Sequence, residues 1–233
     1  MLRFSAPAFA ALCLIASSAH AETAPVIFTG PVTITGQVSL ASDGMTRGIT
    51  ETTGNPQGIA TITLAHGPLY GGLLVKNVAT PEGADSQNVA FVGLKGPLAG
   101  FNVNVEAYLR DNVGTVPGTQ HRFGEYQADV SRTFGATTAK LMVMYSPDFY
   151  AKTKESTWTE ASLAQKLSPQ WTVSAAFGHR SVMPKKDYNG WNLGAAYALR
   201  PKTTIDFRYF DTDEHRLGKN YVSRFRLMIS QGF

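Results

Sequence analysis

The chain has 233 residues, of which 43% are hydrophobic, 11% aromatic and only 16% charged, with a formal net charge of +4. Soluble globular proteins carry about 25% charged residues, yet the mean hydropathy here is only −0.10, so the chain is too poor in charge for an ordinary soluble surface and too polar for a bundle of membrane helices. The charge-poor stretches 23–42 and 52–75 are rich in Thr and interrupted by Gly and Pro, which excludes a polytopic helical membrane protein, and the aromatic content excludes a disordered chain.

The first segment reads as an export signal. Arg3 supplies a positive start, residues 4–16 a short apolar core, and Ala19-His20-Ala21 the small residues of a cleavage site. Cleavage after Ala21 divides the chain into a signal peptide, 1–21, and one domain, 22–233. Cys13 is the only cysteine, and it lies in the signal, so the mature chain has neither a disulfide nor a thiolate metal site. The basic excess is small, the longest Lys/Arg run is Lys185-Lys186, and export is incompatible with a nucleic-acid partner.

From residue 33 onward the sequence alternates with period two. The clearest case is 101–110, where Phe101, Val103, Val105, Ala107 and Leu109 alternate with Asn102, Asn104, Glu106, Tyr108 and Arg110; only a strand places those groups sensibly. In chain order the predicted strands are 33–41, 57–65, 69–78, 87–95, 101–110, 123–133, 137–146, 156–167, 171–178, 191–199, 205–210 and 221–233. Most are near ten residues, the length a tilted strand needs to cross a bilayer. Their connections alternate without exception between short turns (66–68, 96–100, 134–136, 168–170, 200–202) and longer loops (42–56, 79–86, 111–122, 147–155, 181–189, 211–219). The expectation is a transmembrane antiparallel up-and-down β-barrel of about twelve strands, with short periplasmic turns and longer extracellular loops. Aromatics fall at strand ends: Phe101, Trp171, Phe134, Tyr70 and Phe233 toward the turns, and Tyr126, Tyr145, Trp191, Tyr209 and Tyr221 toward the loops. Two interfacial girdles follow from that placement.

The stretch Ser42-Asp43-Gly44-Met45-Thr46-Arg47-Gly48-Ile49-Thr50, with Tyr70, Gly72, Asn77 and Val78 downstream, resembles the opening of the TorF family of Gram-negative porins, also called the Gcw_chp family. Members typically carry a "TSDYxFRGISQT"-like stretch and a "GLYAGxWxSNV" pattern. Asp43, Arg47, Gly48, Ile49 and Asn77 fit the motif, whereas Gly44 and Leu74 stand where an aromatic and a Trp are usual. The resemblance is specific over 38–78 and implies an outer-membrane porin. At the other end Tyr221, Phe225, Leu227, Ile229 and the terminal Phe233 look like the β-signal read by the barrel-assembly machinery, in keeping with an edge strand that templates strand addition.

On inward positions the alternation puts Glu106 and Arg110, Glu125 and Asp129, Glu160, Asp206 and Arg208, and Arg224 and Arg226. Charges of both signs on neighbouring strands predict a lumen crossed by ion pairs, and these residues are the candidates for a selective pore lining. Twelve strands lie between filled and open barrels, so the sequence is compatible with an open or a plugged lumen; 42–56 is the loop expected to fold inside. His179 and Ser181, followed by Asn189 and Asn192, form the His-x-Ser arrangement of the outer-membrane phospholipase, without the rest of its signature. Asp211, Asp213, Glu214 and His215 form an acidic loop that would suit an oxygen-ligated cation, although solvated loops of this kind are common. The expected activity is passive diffusion of small hydrophilic solutes or ions, not catalysis. The alternatives are a closed structural or adhesive barrel and an interfacial lipid hydrolase. The expected partners are outer-membrane lipid and lipopolysaccharide, the assembly machinery and small solutes, with no cofactor and no metal.

Overall fold

The computed structural model describes residues 30–151, 153–183 and 187–233. The proposed signal peptide, with Arg3, Cys13 and the cleavage site at Ala21, lies outside the described residues, as does the Lys185-Lys186 pair.

The strands are β1 (Thr33–Ala41), β2 (Met45–Thr46), β3 (Ile49–Thr50), β4 (Gln57–His66), β5 (Leu69–Asn77), β6 (Ser86–Leu98) and β7 (Phe101–Val113). They continue as β8 (Arg122–Phe134), β9 (Thr137–Ser146), β10 (Ser156–Lys166), β11 (Trp171–Val182), β12 (Tyr188–Arg200), β13 (Thr203–Thr212) and β14 (Arg224–Gly232). Twelve of them form one closed barrel in which each strand pairs with its sequence neighbour and β1 pairs with β14; β2 and β3 pair only with each other. Closure runs from Gln37↔Gly232 to Ala41↔Met228. It is extended at the foot by reciprocal backbone hydrogen bonds between Gly36 and Phe233, of 3.2 and 2.9 Å. No sheet edge remains in the barrel, as a hydrocarbon environment requires.

The turns at 67–68, 99–100, 135–136, 167–170 and 201–202 share one end of the barrel with β1's start and the C-terminus. Several hold residues at positive φ, such as Ala99 (50°) and Gly100 (81°), the pair of left-handed conformations that a two-residue hairpin demands. The six longer connections share the other end. Strands extend a few residues beyond the periodic cores read from sequence, so that β6 continues through Pro97. Ladder pairing to β7 carries the chain on where a Gly-Pro sequence suggested a turn.

Outward positions are apolar and exposed, Leu193 at 62% being typical; inward positions carry the polar residues. Phe101, Phe134 and Trp171 stand outward at the turn end, and Tyr126, Tyr145, Trp191 and Tyr209 outward at the loop end. Two girdle assignments are corrected. Tyr70 points into the lumen, where its hydroxyl donates to Asn104 at 2.6 Å, because strand parity at β5 places Tyr70, Gly72, Leu74 and Lys76 inward. Tyr221 precedes β14, which begins only at Arg224, and turns edge-on to Tyr188 with ring centroids 5.2 Å apart. It therefore does not share the outward face of Phe225, Leu227 and Ile229. The parity carries a measurable consequence: Leu193→Arg, outward in the middle of β12, should lower stability in phospholipid vesicles by about 2–4 kcal/mol. Ser162→Arg, inward on β10, should cost well under that in the same urea titration.

Candidate functional site

The first long connection, 42–56, does not reach outward. It folds into the loop end of the lumen as the β2–β3 hairpin. Arg47 and Gly48 form its tip at φ 50° and 84°, the two positive φ values that a two-residue reversal needs. A side chain at Gly48 would meet the Gly190 Cα at 3.1 Å, and one at Gly190 the Arg47 carbonyl at 3.0 Å. Glycine in both places is what lets the tip touch the β12 wall. Inside the hairpin, Asp43 accepts hydrogen bonds from the Thr50 and Thr52 hydroxyls at 2.5 and 2.8 Å, so the carboxylate organises the backbone around itself. Ile49 packs on a buried cluster of Met144, Trp158 and Tyr188, joined by Tyr108 and Tyr221. Trp158 lies over the Cα of Gly178 on the neighbouring strand, where any side chain would collide with the indole.

Three ionic contacts tie the hairpin to the wall. Arg47 reaches Glu125 on β8 at 2.5 Å, Glu51 pairs with Lys76 on β5 at 2.5 Å, and Asp43 with Arg224 on β14 at 3.4 Å. The Tyr188 hydroxyl also donates to the Arg47 carbonyl at 3.1 Å. Glu125 serves Arg110 as well, at 2.5 Å, while Arg180, only 7% exposed, has no carboxylate within ion-pair distance among the described residues. Arg47 and Arg180 both lie over the Phe149 ring, at 5.8 and 4.6 Å, so three guanidinium groups crowd about one carboxylate. Burial works to raise the pKa of Glu51, but the Lys76 charge and the Gln57 amide hold its carboxyl below the ordinary 4.5.

Toward the turn end the lumen holds two cavities of about 600 and 410 Å³, and Arg208 and Arg226 line both. Asp206 bridges these arginines, 3.0 Å from Arg208 and 2.8 Å from Arg226. The charges are segregated around the barrel. Inward positions of β7 and β8 hold Glu106, Glu125 and Asp129 against Arg110 alone, whereas those of β13 and β14 hold Arg208, Arg224 and Arg226 against Asp206 alone. In the twelve-strand order these two pairs stand diametrically opposite, so an acidic and a basic wall face one another across the lumen.

All nine candidate pore residues therefore face inward, but they do not act alike. Arg110, Glu125 and Arg224 belong to the anchorage of the hairpin, and Asp206, Arg208 and Arg226 form an ion-pair triad. Glu106, Asp129 and Glu160 accept hydrogen bonds from Tyr108, from Asn104 and Gln127, and from the Trp158 indole. Of the motif residues, Asp43, Arg47, Gly48 and Ile49 build the inserted hairpin. Asn77 clamps its exit, accepting from the Gly58 amide at 2.7 Å and donating to the Pro56 carbonyl at 2.9 Å. Sequence reasoning missed Lys76 and Arg180 as lumen cations, although their parity on β5 and β11 was readable.

His179 and Ser181 lie on the outward face of β11. His179 pairs with Asn189 at 2.9 Å, whose amide donates to Asp213 at 2.5 Å; no hydrogen bond joins His179 to Ser181 among the described residues. In the acidic loop Asp211 pairs with His215 at 2.6 Å and Glu214 with Arg216 at 2.6 Å. Its carboxylates are thus directed to separate partners, and no group of metal-ligating side chains forms among the described residues.

This architecture is that of an outer-membrane β-barrel. Solved structures of that kind resemble it in fold: the KdgM porin (TM-score 0.59, 8% identity, 86% of this chain and 98% of that one) and the NanC porin (0.57, 10%, 86% and 99%). A third is the COG4313 outer membrane channel from Pseudomonas putida F1 (0.54, 12%, 91% and 100%). A further form of KdgM is described in complex with disordered oligogalacturonate. No curated protein matches by sequence. The model of the Gcw_chp family, described as a bacterial protein of unknown function, matches residues 27–232, and the chain belongs to that family.

The anchorage makes two predictions, both read by acrylamide quenching of Trp158 after Trp171→Phe and Trp191→Phe. Glu125→Gln removes the carboxylate charge that Arg47 and Arg110 share; it should destabilise the inserted hairpin by about 3–5 kcal/mol and raise quenching toward that of an exposed indole. Because the Glu51 pKa is depressed in the fold, its contribution is full above the ordinary carboxylate value and is lost as pH falls through the folded one. Quenching should therefore rise on acidification below about pH 4, and less so in Glu51→Gln.

Proposed function

We propose that the protein is an outer-membrane channel for passive diffusion of small hydrophilic solutes or ions, closed at its extracellular end by segment 42–56. The observation that carries this reading is the transverse charge arrangement around a water-accessible lumen. An acidic wall on β7 and β8 faces a basic wall on β13 and β14, and cavities of about 600 and 410 Å³ lie beside the basic wall. Charged linings of this kind select ions and orient polar solutes in pores, whereas packing alone is served as well by apolar side chains. The resemblance of 38–78 to TorF-family porins agrees with this reading, as does the fold shared with KdgM, NanC and the COG4313 channel.

In this reading the short turns and the chain ends face the periplasm, and the loops face outward among lipopolysaccharide. The exposed row Phe225, Leu227, Ile229 and Phe233 on and just after β14 is the surface offered to the assembly machinery. One observation favours the second reading, a closed structural or adhesive barrel: the hairpin packs the outer lumen so tightly that Thr50, Thr52, Trp158 and Tyr188 are all 3% exposed or less.

Planar-bilayer recording of the refolded barrel separates the two. The native protein should give small or intermittent steps, and deletion of residues 44–55 should raise unitary conductance several-fold. Reversing Arg224 and Arg226 to Glu should move ion preference toward cations. A deletion variant that is folded, by heat-modifiable gel mobility, yet electrically silent rejects the channel.

A further inference from the structure

Arg208 and Arg226 are directly opposed cross-strand partners on β13 and β14. Like charges in that position destabilise a sheet, so the fold gains nothing from the pair unless an anion sits between or beside them. Asp206 bridges both guanidinium groups, and Asn192 and Ser174 accept further hydrogen bonds from Arg208 at 2.6 and 2.9 Å, so it is Arg226 that is left short of acceptors. The Arg226 Nε is buried without a hydrogen-bond partner, and its guanidinium otherwise lies over the Phe210 ring at 5.1 Å. Lys202 lines the first cavity and Lys140 the second, and Glu160 is the only other carboxylate on either wall. The site thus carries four cations against two anions. The remaining polar lining is hydroxyl and amide: Gln37, Thr204 and Ser230 on one side, Thr138, Ser162, Ser174 and Asn192 on the other, the last two bonded to Arg208.

We propose that this arginine pair is the binding site for a small polyhydroxylated carboxylate, a sugar acid in chemical class. Its carboxylate lies against the guanidinium groups as planar, bidentate acceptors do. Its hydroxyls exchange hydrogen bonds with the Ser, Thr and Gln side chains of the cavity, whose volume falls in the range of small-molecule sites. The proposal rests on the channel reading and names the solute class that the lumen retains and passes.

The test measures binding without current, by equilibrium dialysis of radiolabelled gluconate against the folded barrel in detergent micelles, with glucose and acetate as probes lacking the charge and the hydroxyls. Gluconate should bind more than tenfold tighter than either. Asp206→Asn frees both arginines and should tighten gluconate binding several-fold, an outcome that a purely structural triad does not produce. The triple variant Asp206→Asn, Arg208→Gln, Arg226→Gln removes the ionic group as a unit, leaves no buried charge unpaired, and should lose at least tenfold in affinity while keeping heat-modifiable mobility. Gluconate binding no better than glucose or acetate overturns the proposal, as does unchanged affinity in the folded triple variant or weaker binding in folded Asp206→Asn. Electrical silence with intact gluconate binding rejects the channel and leaves the site standing; conductance without gluconate binding does the reverse.

Discussion

In hydrocarbon a backbone N–H or C=O has no water to fall back on, and each unpaired group costs several kcal/mol. That constraint governs this molecule. It requires that β14 return to β1, so that every barrel strand shows lipid on one side and lumen on the other. The low charge content and near-zero hydropathy follow, because an apolar face and a polar face cancel within each strand. Closure also confines whatever is polar to a narrow interior, where its electrostatics are strong.

The interior resolves that confinement in two ways. At the loop end the β2–β3 hairpin fills the lumen, and each buried charge it brings is matched by a wall residue: Arg47 by Glu125, Glu51 by Lys76, Asp43 by Arg224. Breaking one member of such a pair is far more costly than the pair is stabilising. The left-handed Arg47 at its tip is a conformation that non-glycine residues adopt at some cost, held here by the ion pair and the Tyr188 hydrogen bond. At the turn end no hairpin intrudes, and Arg208, Arg226 and Asp206, tied to one another, line a cavity. The same barrel is thus a packed protein core at one end and a vestibule at the other.

Much of the architecture was legible residue by residue. Leu109 beside Arg110, or Leu193 beside Asn192, can be read only as opposite faces of a strand, and the inward placement of all nine candidate charges follows from parity. Segment 42–56 could be singled out by length and by its motif residues, but its destination could not be derived from periodicity. Tyr70 and Tyr221 show where the reading failed. Aromatics near strand ends fit a girdle equally well on either face of the chain, and the start of β14 is set by pairing to β13, which no local pattern encodes.

The sequence by itself determined the barrel, its twelve strands, the alternation of its connections and the sign of each inward charge, because a period of two and the lengths of connections are local properties. Only the tertiary structure decided which charges meet. Glu125 and Arg47 are 78 positions apart, and the opposition of β7–β8 to β13–β14 exists only once the sheet has closed on itself. Closure turns a linear list of charged residues into facing walls of opposite sign, and the contact of Gly48 with Gly190 turns a loop into a plug.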